Sequence, residues 1–472
     1  MLVGVNEGRV AVAHNLTIKN SLITLKAAYL SGPYPSHEAR QRQLNRLRLA
    51  IIENKSRLIG AAKTDFSVRS EHDTVLADVI PTISHINYLS KHLREWMKPE
   101  KRSSGLEFFP SKVLSEYVPK GVVGIIAPWN YPIQLALVPL ATAIAAGNKV
   151  MIKLSEYTPA VNAVIKDVLA VLKGDCVVIE GGPDVATEFS HQAFDHLFFT
   201  GSTEVGKKVY TAAAQNLVPV TLELGGKSPL IVLEDANIEK VLLDIVFAKN
   251  MNAGQVCVAP DYVLVHEAIY DEFIKKLKLQ FLKSNTRALK TGILNEAHAQ
   301  RLKNLMVDAQ DRGAKIYHSV ELESIHSKEF GTHMVIDPPL DARIMQEEVF
   351  GPVLNIIKVQ SIAHAKMTVQ ELGTPLACYL YTNCQIAQND IRQNLQSGAL
   401  CINDMLFHVA VPDLPFGGVG SSGFGNYHGK EGFVTFSHCK SIFQSSNNIW
   451  RSKLFSKYSH VIQRILTRLY LR

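Results

Sequence analysis

The 472-residue sequence lacks the features that mark secreted, metal-binding or membrane-spanning proteins. Its six cysteines form no CxxC pair and no Cys/His spacing typical of a zinc site. Scattered cysteines in a long chain are typical of a reduced, intracellular protein, so we expect a cytoplasmic location and no metal. Glu7 and Arg9 interrupt any apolar run that would resemble a secretory signal. No stretch approaches the ~20 apolar residues that a bilayer span requires.

Acidic residues are absent after Glu431, whereas Lys440–Arg472 contains seven basic residues. The net charge of +7 therefore belongs to this tail, and a neutral body argues against nucleic acid as a ligand. Residues 449–472 place apolar side chains at helical spacing, which predicts a basic amphipathic helix. Three interpretations stay open: the helix lies on an anionic membrane surface, it packs on a neighbouring subunit or on its own chain, or it is disordered. The apolar positions are Trp450, Leu454, Tyr458, Val461, Ile465 and Leu469.

Strand and helix patterns alternate through the central part of the chain. A helical region at 38–66, extending in further helix to Trp96, precedes a polar linker at 98–105. Apolar runs then predict buried strands at 121–127, 149–154, 176–180, 196–200 and 218–224, with helices at 132–146, 159–172 and 203–215 between them. A second α/β unit is predicted from Ser228 to about Pro412. The alternation favours a parallel α/β nucleotide-binding fold.

Polar residues of interest fall at the predicted strand ends, where ligands of such sheets bind. The segment Gly201–Lys208 (GSTEVGKK) resembles a P-loop, but Lys208 replaces the Ser or Thr that would hold Mg²⁺, so an ATPase is rejected. What remains is a Gly-Ser turn at a helix start. It either binds a pyrophosphate through free N–H groups or is an ordinary capped helix.

Three further residues are candidates for covalent chemistry. Cys257 lies in a loop after a helical stretch, Glu223 precedes two glycines at a strand end, and Asn130 lies in a Pro-rich loop. Each also has an ordinary structural explanation. Cys257 can be an inert small hydrophobic residue, Glu223 a solvated turn residue and Asn130 a turn residue. Their combination is more informative than any one of them.

That combination resembles the aldehyde dehydrogenase superfamily over about residues 30–443. The motifs are PWNYP at 128–132, FTGST at 199–203, ELGGKSP at 223–229, NAGQVCVAPDY at 252–262 and EEVFGP at 347–352. The separation of 34 residues between Glu223 and Cys257 matches the superfamily. The ending at 414–438 (LPFGGVGSSGFGNYHGKEGFVTFSH) and the APDY after the cysteine resemble the class 3 branch, and within it the bacterial coniferyl-aldehyde dehydrogenases.

The resemblance implies a Rossmann-type parallel-sheet cofactor domain, an α/β catalytic domain and a small β bridging element for oligomerisation. The expected boundaries are 1–226 for the cofactor domain with a bridging hairpin at about 105–120, 227–412 for the catalytic domain, 413–440 for the bridging segment and 441–472 for the tail. A homodimer is expected.

The resemblance also implies roles in a reaction that oxidises an aldehyde, either aromatic such as coniferyl aldehyde or medium to long aliphatic, to the acid. Cys257 would be the nucleophile, Asn130 would form the oxyanion hole with the backbone N–H of Cys257, and Glu223 would activate the hydrolytic water. NAD or NADP would be bound by Trp129, Lys153, Glu156, Gly201, Ser202, Glu348 and Phe350. Asn403, His408 and Tyr427 would line or border the substrate tunnel. Leu154 departs from the family, which often has Pro there.

Two related alternatives remain. In a CoA-acylating dehydrogenase, CoA rather than water accepts the acyl group, and such relatives generally lack the glutamate at position 223. A catalytically silent binding or structural relative would be expected to lose Cys257 or Glu223. Both residues are present.

Overall fold

The computed structural model describes residues 3–66, 68–105, 108–109, 111–285, 291–319 and 326–471. These residues form two compact units, one of residues 1–96 and 119–438 and the other of residues 97–118 and 439–472. The predicted hairpin at about 105–120 includes residues 106, 107 and 110, which lie outside the described part of the chain.

The helices of the larger unit lie before, between and after its strands. They are α1 (Val3–Leu30), α2 (His37–Glu53), α3 (Lys55–Asp65), α4 (Glu71–Thr74), α5 (Ile80–Trp96), α6 (Gln134–Ala145), α7 (Pro159–Leu169), α8 (Pro183–Ser190), α9 (Thr203–Ala214), α10 (Ile238–Asn250), α11 (Tyr270–Asn285), α12 (Glu296–Asp311), α13 (Arg343–Gln346), α14 (Ile362–Glu371), α15 (Gln385–Asn394) and α16 (Gly429–Thr435). A π-helical turn, Val75–Val79, joins α4 to α5.

The strands are numbered along the whole chain. They are β1 (Glu100–Lys101), β2 (Lys112–Pro119), β3 (Val122–Ile126), β4 (Lys149–Lys153), β5 (Cys176–Ile179), β6 (His196–Gly201), β7 (Val220–Leu224), β8 (Pro229–Val232), β9 (Tyr262–His266), β10 (Lys315–His318), β11 (His333–Ile336), β12 (Val353–Val359), β13 (Ala377–Tyr381), β14 (Ala399–Ile402), β15 (Gly423–Phe424) and β16 (Ser437–Gln444).

A six-stranded sheet with the order β15-β7-β6-β3-β4-β5 contains the strands that the apolar runs predict. Its last five strands are parallel, and β15 is antiparallel to β7. All five residues of β3 are buried, as expected for a strand covered on both faces. The predicted parallel α/β architecture is confirmed.

The second α/β unit is also present, as a seven-stranded sheet with the order β10-β11-β12-β9-β8-β13-β14. Only β10 is antiparallel to its neighbour among these described strands. The predicted domain boundary after Gly226 lies in the connection from β7 to β8, which belong to different sheets.

The N-terminal helix α1 was not predicted. Its buried residues Ile18, Leu22 and Leu25 join a core cluster that includes Val122 and Phe189. The spacing of four and three residues between Ile18, Leu22 and Leu25 places all three on one face of the helix, a local signal that could have predicted it.

The smaller unit contains a three-stranded sheet and the C-terminal helix. Strands β1, β2 and β16 form a three-stranded sheet. The tail forms α17 (Trp450–Tyr470), and no residue of this helix is buried. The tail therefore forms the predicted helix.

Candidate active site

A cavity of about 890 Å³ brings together residues from the ends of several strands and from the loops that follow them. It is lined by Asn130, Glu223 and Cys257, which the sequence selects for chemistry, and by Trp129, Gly201, Ser202, Glu348 and Phe350 from the predicted cofactor set. Residues separated by more than 200 positions therefore share one site.

The loop that carries Cys257 has an unusual backbone. Asn252, Ala253 and Gly254 follow α10 with φ values of 49°, 54° and 67°, a left-handed conformation that two non-glycine residues adopt only when their surroundings hold them. A Cβ on Gly254 would lie 2.5 Å from the carbonyl oxygen of Gly351. The buried amide of Asn252 donates to the carbonyl oxygens of Asn130 (3.0 Å) and Gln255 (3.1 Å), which ties the two loops together.

A fully buried guanidinium strengthens this connection. Arg69 donates through Nη1 to the carbonyl oxygen of Asn130 (2.9 Å) and to Oδ1 of Asn252 (3.1 Å). Its Nη2 lies 3.4 Å from Oδ2 of Asp78, and neither side chain is exposed. Asp78 accepts in turn from the backbone N–H of Gln134 (2.5 Å), just beyond the Asn130 loop. Arg69 lies upstream of the motifs, and an isolated arginine in a sequence carries no signal of such a role.

Asn130 is oriented for donation into the cavity. Its Nδ2 donates to the carbonyl oxygen of Gln255 (3.2 Å). Because a carboxamide carries two N–H groups, one donor remains for an oxygen bound beside Cys257. The arrangement is compatible with an oxyanion hole.

Three ionisable groups lie close together in this low-dielectric site. Burial, together with the nearby carboxyls of Glu348 and Glu223, raises the pKa of the Cys257 thiol to about 12. Glu223, the penultimate residue of β7, is 3% exposed, and burial raises its pKa well above the usual range. Burial raises the pKa of Glu348 to about 8. At neutral pH all three groups are therefore predominantly protonated in the free protein.

Neither carboxyl oxygen of Glu223 has a hydrogen-bond partner within the described residues. An unpaired buried carboxyl is unfavourable for stability, and such groups are frequent at functional sites. Glu348 lies over Gly225, where a Cβ would approach Oε2 to 1.9 Å. Gly225 is thus required for Glu348 to enter the cavity.

The N-terminus of α9 also faces the cavity. Gly201, Ser202, Thr203 and Glu204 line it, and the Ser202 hydroxyl accepts from the N–H of Val205 (3.4 Å) as the helix cap. The first N–H groups of the helix have no intrahelical acceptors and attract phosphate. Trp129 and Phe350 form an edge-to-face pair with ring centroids 5.4 Å apart. A helix N-terminus and an aromatic pair in one cavity are compatible with the phosphates and a ring of a dinucleotide.

Lys153 and Glu156 form an ion pair (Nζ to Oε2, 2.7 Å) in which Lys153 is 3% exposed. They are not among the described residues that line the cavity. Leu154, the departure from the family pattern, is buried next to this pair.

Lys227 fixes the loop that presents Glu348 and Phe350. Its buried ammonium donates to the carbonyl oxygens of Ile344 (2.8 Å) and Glu347 (3.0 Å) and pairs with Asp261. Asp261 accepts from the N–H of Val349 (2.8 Å). Lys227 lies in the ELGGKSP motif and Asp261 in the APDY motif, so the sequence contained a signal for both. Their role in holding this loop is visible only in three dimensions.

Of the three residues predicted to line or border the substrate tunnel, the described cavity lining includes one. Tyr427 lines the cavity, whereas Asn403 and His408 are not among the described residues that do. Asn403 has a positive φ of 54° and exchanges two hydrogen bonds of 3.0 Å with the backbone of Thr382. His408 is packed against the rings of Phe416 and Tyr379.

The sequence model of the aldehyde dehydrogenase family matches residues 27–442. The chain belongs to this family. It is therefore an NAD(P)-dependent oxidoreductase that acts on aldehydes.

Relatives support the assignment over almost the whole chain. A probable coniferyl aldehyde dehydrogenase of Pseudomonas aeruginosa is 41% identical, with 95% of each chain covered. A dimeric, NADP-preferring aldehyde dehydrogenase of Rattus norvegicus is 35% identical, covering 91% of this chain and 95% of the relative. The solved structure of substrate-bound Staphylococcus aureus AldH is 37% identical, with a TM-score of 0.88 over 95% of this chain and 99% of the other.

Proposed function

We propose that this aldehyde dehydrogenase acts through a thioester on Cys257. The observation that carries the proposal is that Cys257, Glu223 and Asn130 line one cavity. The Cys257 thiol gives its proton to solvent water, Sγ bonds to the aldehyde carbon as the C=O π bond breaks, and the resulting oxyanion accepts from the free N–H of the Asn130 amide. The chemistry supplied by bound NAD or NADP is acceptance of the hydride that leaves this carbon. A thioester on Cys257 remains.

Glu223 accepts a proton from the water that hydrolyses the thioester. Neither of its oxygens has a hydrogen-bond partner within the described residues, so no protein donor competes for that proton. Because burial holds its pKa high, the ionised carboxylate is a stronger base than a solvated glutamate. Water then attacks the thioester carbon, the acid leaves and the thiol is restored. The presence of Glu223 favours this hydrolysis over transfer of the acyl group to CoA.

We propose three sets of contacts with NAD or NADP, two of them in the cavity and one at the ion pair of Lys153 and Glu156. The N-terminus of α9 with Gly201 and Ser202 would bind the diphosphate, and Glu348 would bind a ribose hydroxyl near Phe350 and Trp129. Lys153 and Glu156 would hold the second ribose.

We propose an aldehyde with an aromatic body, of the coniferyl type, as the substrate. The relative from Pseudomonas aeruginosa supports this class, and the rings of Phe416, Tyr427 and Phe407 line the cavity. A medium or long aliphatic aldehyde is the alternative, which the apolar residues in the same lining also accommodate.

An aldehyde panel with NAD and with NADP, followed by the appearance of reduced cofactor, tests the activity. Cys257→Ala should abolish turnover and leave cofactor binding intact, because no other residue forms the thioester. Cys257→Ala protein with normal turnover would disprove the mechanism.

We infer that the tail helix α17 binds another surface, either a membrane or a protein. Its apolar residues Trp450, Leu454, Ile465 and Leu469 are exposed, and no acidic side chain offsets its basic residues. Its charge suits peripheral contact with an anionic membrane. The alternative is that α17 packs on a neighbouring subunit or on its own chain, and the rat relative's name describes a dimer. No helix within the described residues is long and apolar enough to cross a bilayer.

The two roles differ in what truncation does. If α17 binds membrane, a chain ending at Gln444 should remain active but stop sedimenting with anionic liposomes. Binding by the full chain should weaken as salt rises, since each basic residue contributes about 1 kcal/mol at the surface. If α17 is an assembly element, truncation should change the oligomeric state. Full-length protein that ignores anionic liposomes at low salt would exclude the membrane role.

A further inference from the structure

The lining of the cavity divides into a charged sector and an apolar sector. Among the described residues that line it, the Glu, Lys and Arg side chains come from β7, α9, α12 and the segments after β7 and α13, and they are Glu204, Glu223, Lys227, Arg301, Glu347 and Glu348. The apolar sector contains none of these residue types among its described members, which are Leu76, Ala77, Pro81, Phe247, Met251, Leu406, Phe407, Val409 and Ala410. The proposed dinucleotide contacts at α9 and Glu348 belong to the charged sector, so the apolar sector suits the body of the aldehyde.

The apolar sector adjoins the loop that carries Cys257. Phe247 lies in the last turn of α10, and its carbonyl oxygen accepts from the N–H of Met251, which begins the turn toward Cys257. Val258, the residue after the nucleophile, also lines the cavity, and its carbonyl oxygen accepts from the Tyr379 hydroxyl (2.7 Å). An aldehyde whose carbonyl carbon is bound at Sγ of Cys257 therefore begins beside the apolar sector.

A series of rings leads from the interior of the cavity to solvent. Tyr427 and Phe416 are 2% and 8% exposed, and their ring centroids lie 5.7 Å apart. Phe416 stacks on the ring of His408 with centroids 6.3 Å apart, and Phe407, the neighbour of His408 in the chain, is 58% exposed. Phe416 and Tyr427 are therefore inner residues of the lining, whereas Phe407 lies where the cavity opens.

Two stacked rings form the mouth of the apolar sector. Phe247 and Phe407 both line the cavity although Phe247 is 38% exposed, and their rings lie within 12° of parallel with centroids 5.5 Å apart. Leu76 lines the cavity and is also exposed. Leu243 and Ile80, each four residues along the chain from Phe247 and Leu76, are exposed as well. Exposed apolar side chains grouped at a cavity are typical of a binding site.

We propose that the stacked pair of Phe247 and Phe407 is a distal subsite that binds the apolar tail of the aldehyde, so that the enzyme favours aldehydes long enough to reach the mouth from Cys257. The proposal rests on the proposed function and adds to it a requirement for length. Each methylene that leaves water for an apolar wall contributes up to about fourfold in affinity. A short aldehyde ends at inner residues such as Phe416 and leaves the pair in water.

The test compares kcat/KM for butanal and decanal with the cofactor that supports turnover. Wild-type enzyme should favour decanal by at least about tenfold, because the longer chain buries methylenes on Phe247 and Phe407. Phe247→Ser and Phe407→Ser remove this apolar wall, and each should lower the ratio by at least about fivefold, chiefly through the KM for decanal. Phe407→Leu keeps an apolar side chain and should keep the ratio within about twofold of wild type.

Phe443→Ser is the matched control. Phe443 is 53% exposed, forms an edge-to-face pair with Phe108 and is not among the described residues that line the cavity. This variant also exchanges an exposed ring for a hydroxyl, and it should leave the ratio at the wild-type value.

The outcomes separate this inference from the proposed function. Wild-type enzyme that oxidises no aldehyde of the panel contradicts the proposed function and this inference with it. Wild-type enzyme that is active but does not favour decanal overturns the distal subsite alone. A preference for decanal that survives in both serine variants, or an equal fall in Phe443→Ser, also overturns it. If one serine variant does not fold by thermal melting, the wild-type ratio and the other serine variant decide.

Discussion

Replacing Arg69 by methionine removes a guanidinium that holds both active-site loops from beneath. The side chain binds the carbonyl oxygen of Asn130 and the carboxamide of Asn252, and it neutralises Asp78. Methionine approximates the length of the aliphatic stem and leaves Asp78 buried without its partner. We expect a loss of about 3–5 kcal/mol in the free energy of unfolding, the usual cost of breaking a fully buried ion pair from one side.

The loss in the free energy of unfolding of Arg69→Met should depend on pH. Burial already raises the pKa of Asp78 to about 6, and Arg69 opposes this rise. Without Arg69 the folded-state pKa moves higher, whereas an unfolded aspartate titrates near about 3.9. The folded state of Arg69→Met then binds a proton that the unfolded state lacks, so its stability rises relative to wild type as the pH falls from about 8 to 5.

A double variant separates stability from catalysis. Arg69→Met combined with Asp78→Asn contains no buried charge at this place, and the new amide oxygen still accepts from Gln134 N–H. The double variant should recover most of the free energy of unfolding that Arg69→Met loses. We expect kcat to be about 100-fold below wild type in both variants, because Arg69 no longer links the loops of Asn130 and Cys257. Urea unfolding at several pH values and steady-state kinetics measure both quantities. A single-variant deficit below about 1 kcal/mol, or one that does not change with pH, would refute the reasoning.

Three further substitutions test the reacting groups. Glu223→Gln keeps the shape and removes the base, so a burst of reduced cofactor should precede slow turnover in stopped-flow traces; no burst would contradict its place in deacylation. Asn130→Ala should lower kcat by roughly 100–1000-fold, the usual effect of losing one preorganised donor, and a change below threefold would make Asn130 a turn residue only. Glu348→Gln should speed iodoacetamide labelling of Cys257 above about pH 8, where the Glu348 carboxylate opposes the thiolate, and leave it unchanged below about pH 6; equal acceleration at both pH values would count against charge as the cause.

The fold was predictable where the local pattern and the burial agree. The continuous apolar run of β3 and the glycine after α6 signal their elements without tertiary help. Helix α1 was missed although its buried residues Ile18, Leu22 and Leu25 are spaced by four and three residues, which is the spacing of one helix face.

The candidate site was predictable as a set of residue types but not as a set of contacts. The motifs selected Cys257, Glu223, Asn130 and Glu348, all of which line the cavity. They did not select Arg69, whose task arises from contacts 61 and 183 residues away along the chain. A resemblance transfers motif residues readily, whereas a residue that positions them from outside any motif is visible only in three dimensions.

The protonation of the site is a further property that residue types leave open. A cysteine and two glutamates suggest a thiolate beside two carboxylates, but that arrangement places three negative charges in one cavity of low dielectric constant. The structure resolves the conflict by burial, which raises the pKa of all three groups and leaves them predominantly protonated at neutral pH. The Cys257 thiol and the Glu223 carboxyl, which react in the proposed mechanism, must therefore lose their protons for turnover, whereas Glu348 is proposed only to bind a ribose hydroxyl. The same burial that suppresses the thiolate in the free protein makes Glu223 and Cys257 more basic and more nucleophilic once ionised, so desolvation sets both the resting state and the reactivity of this site.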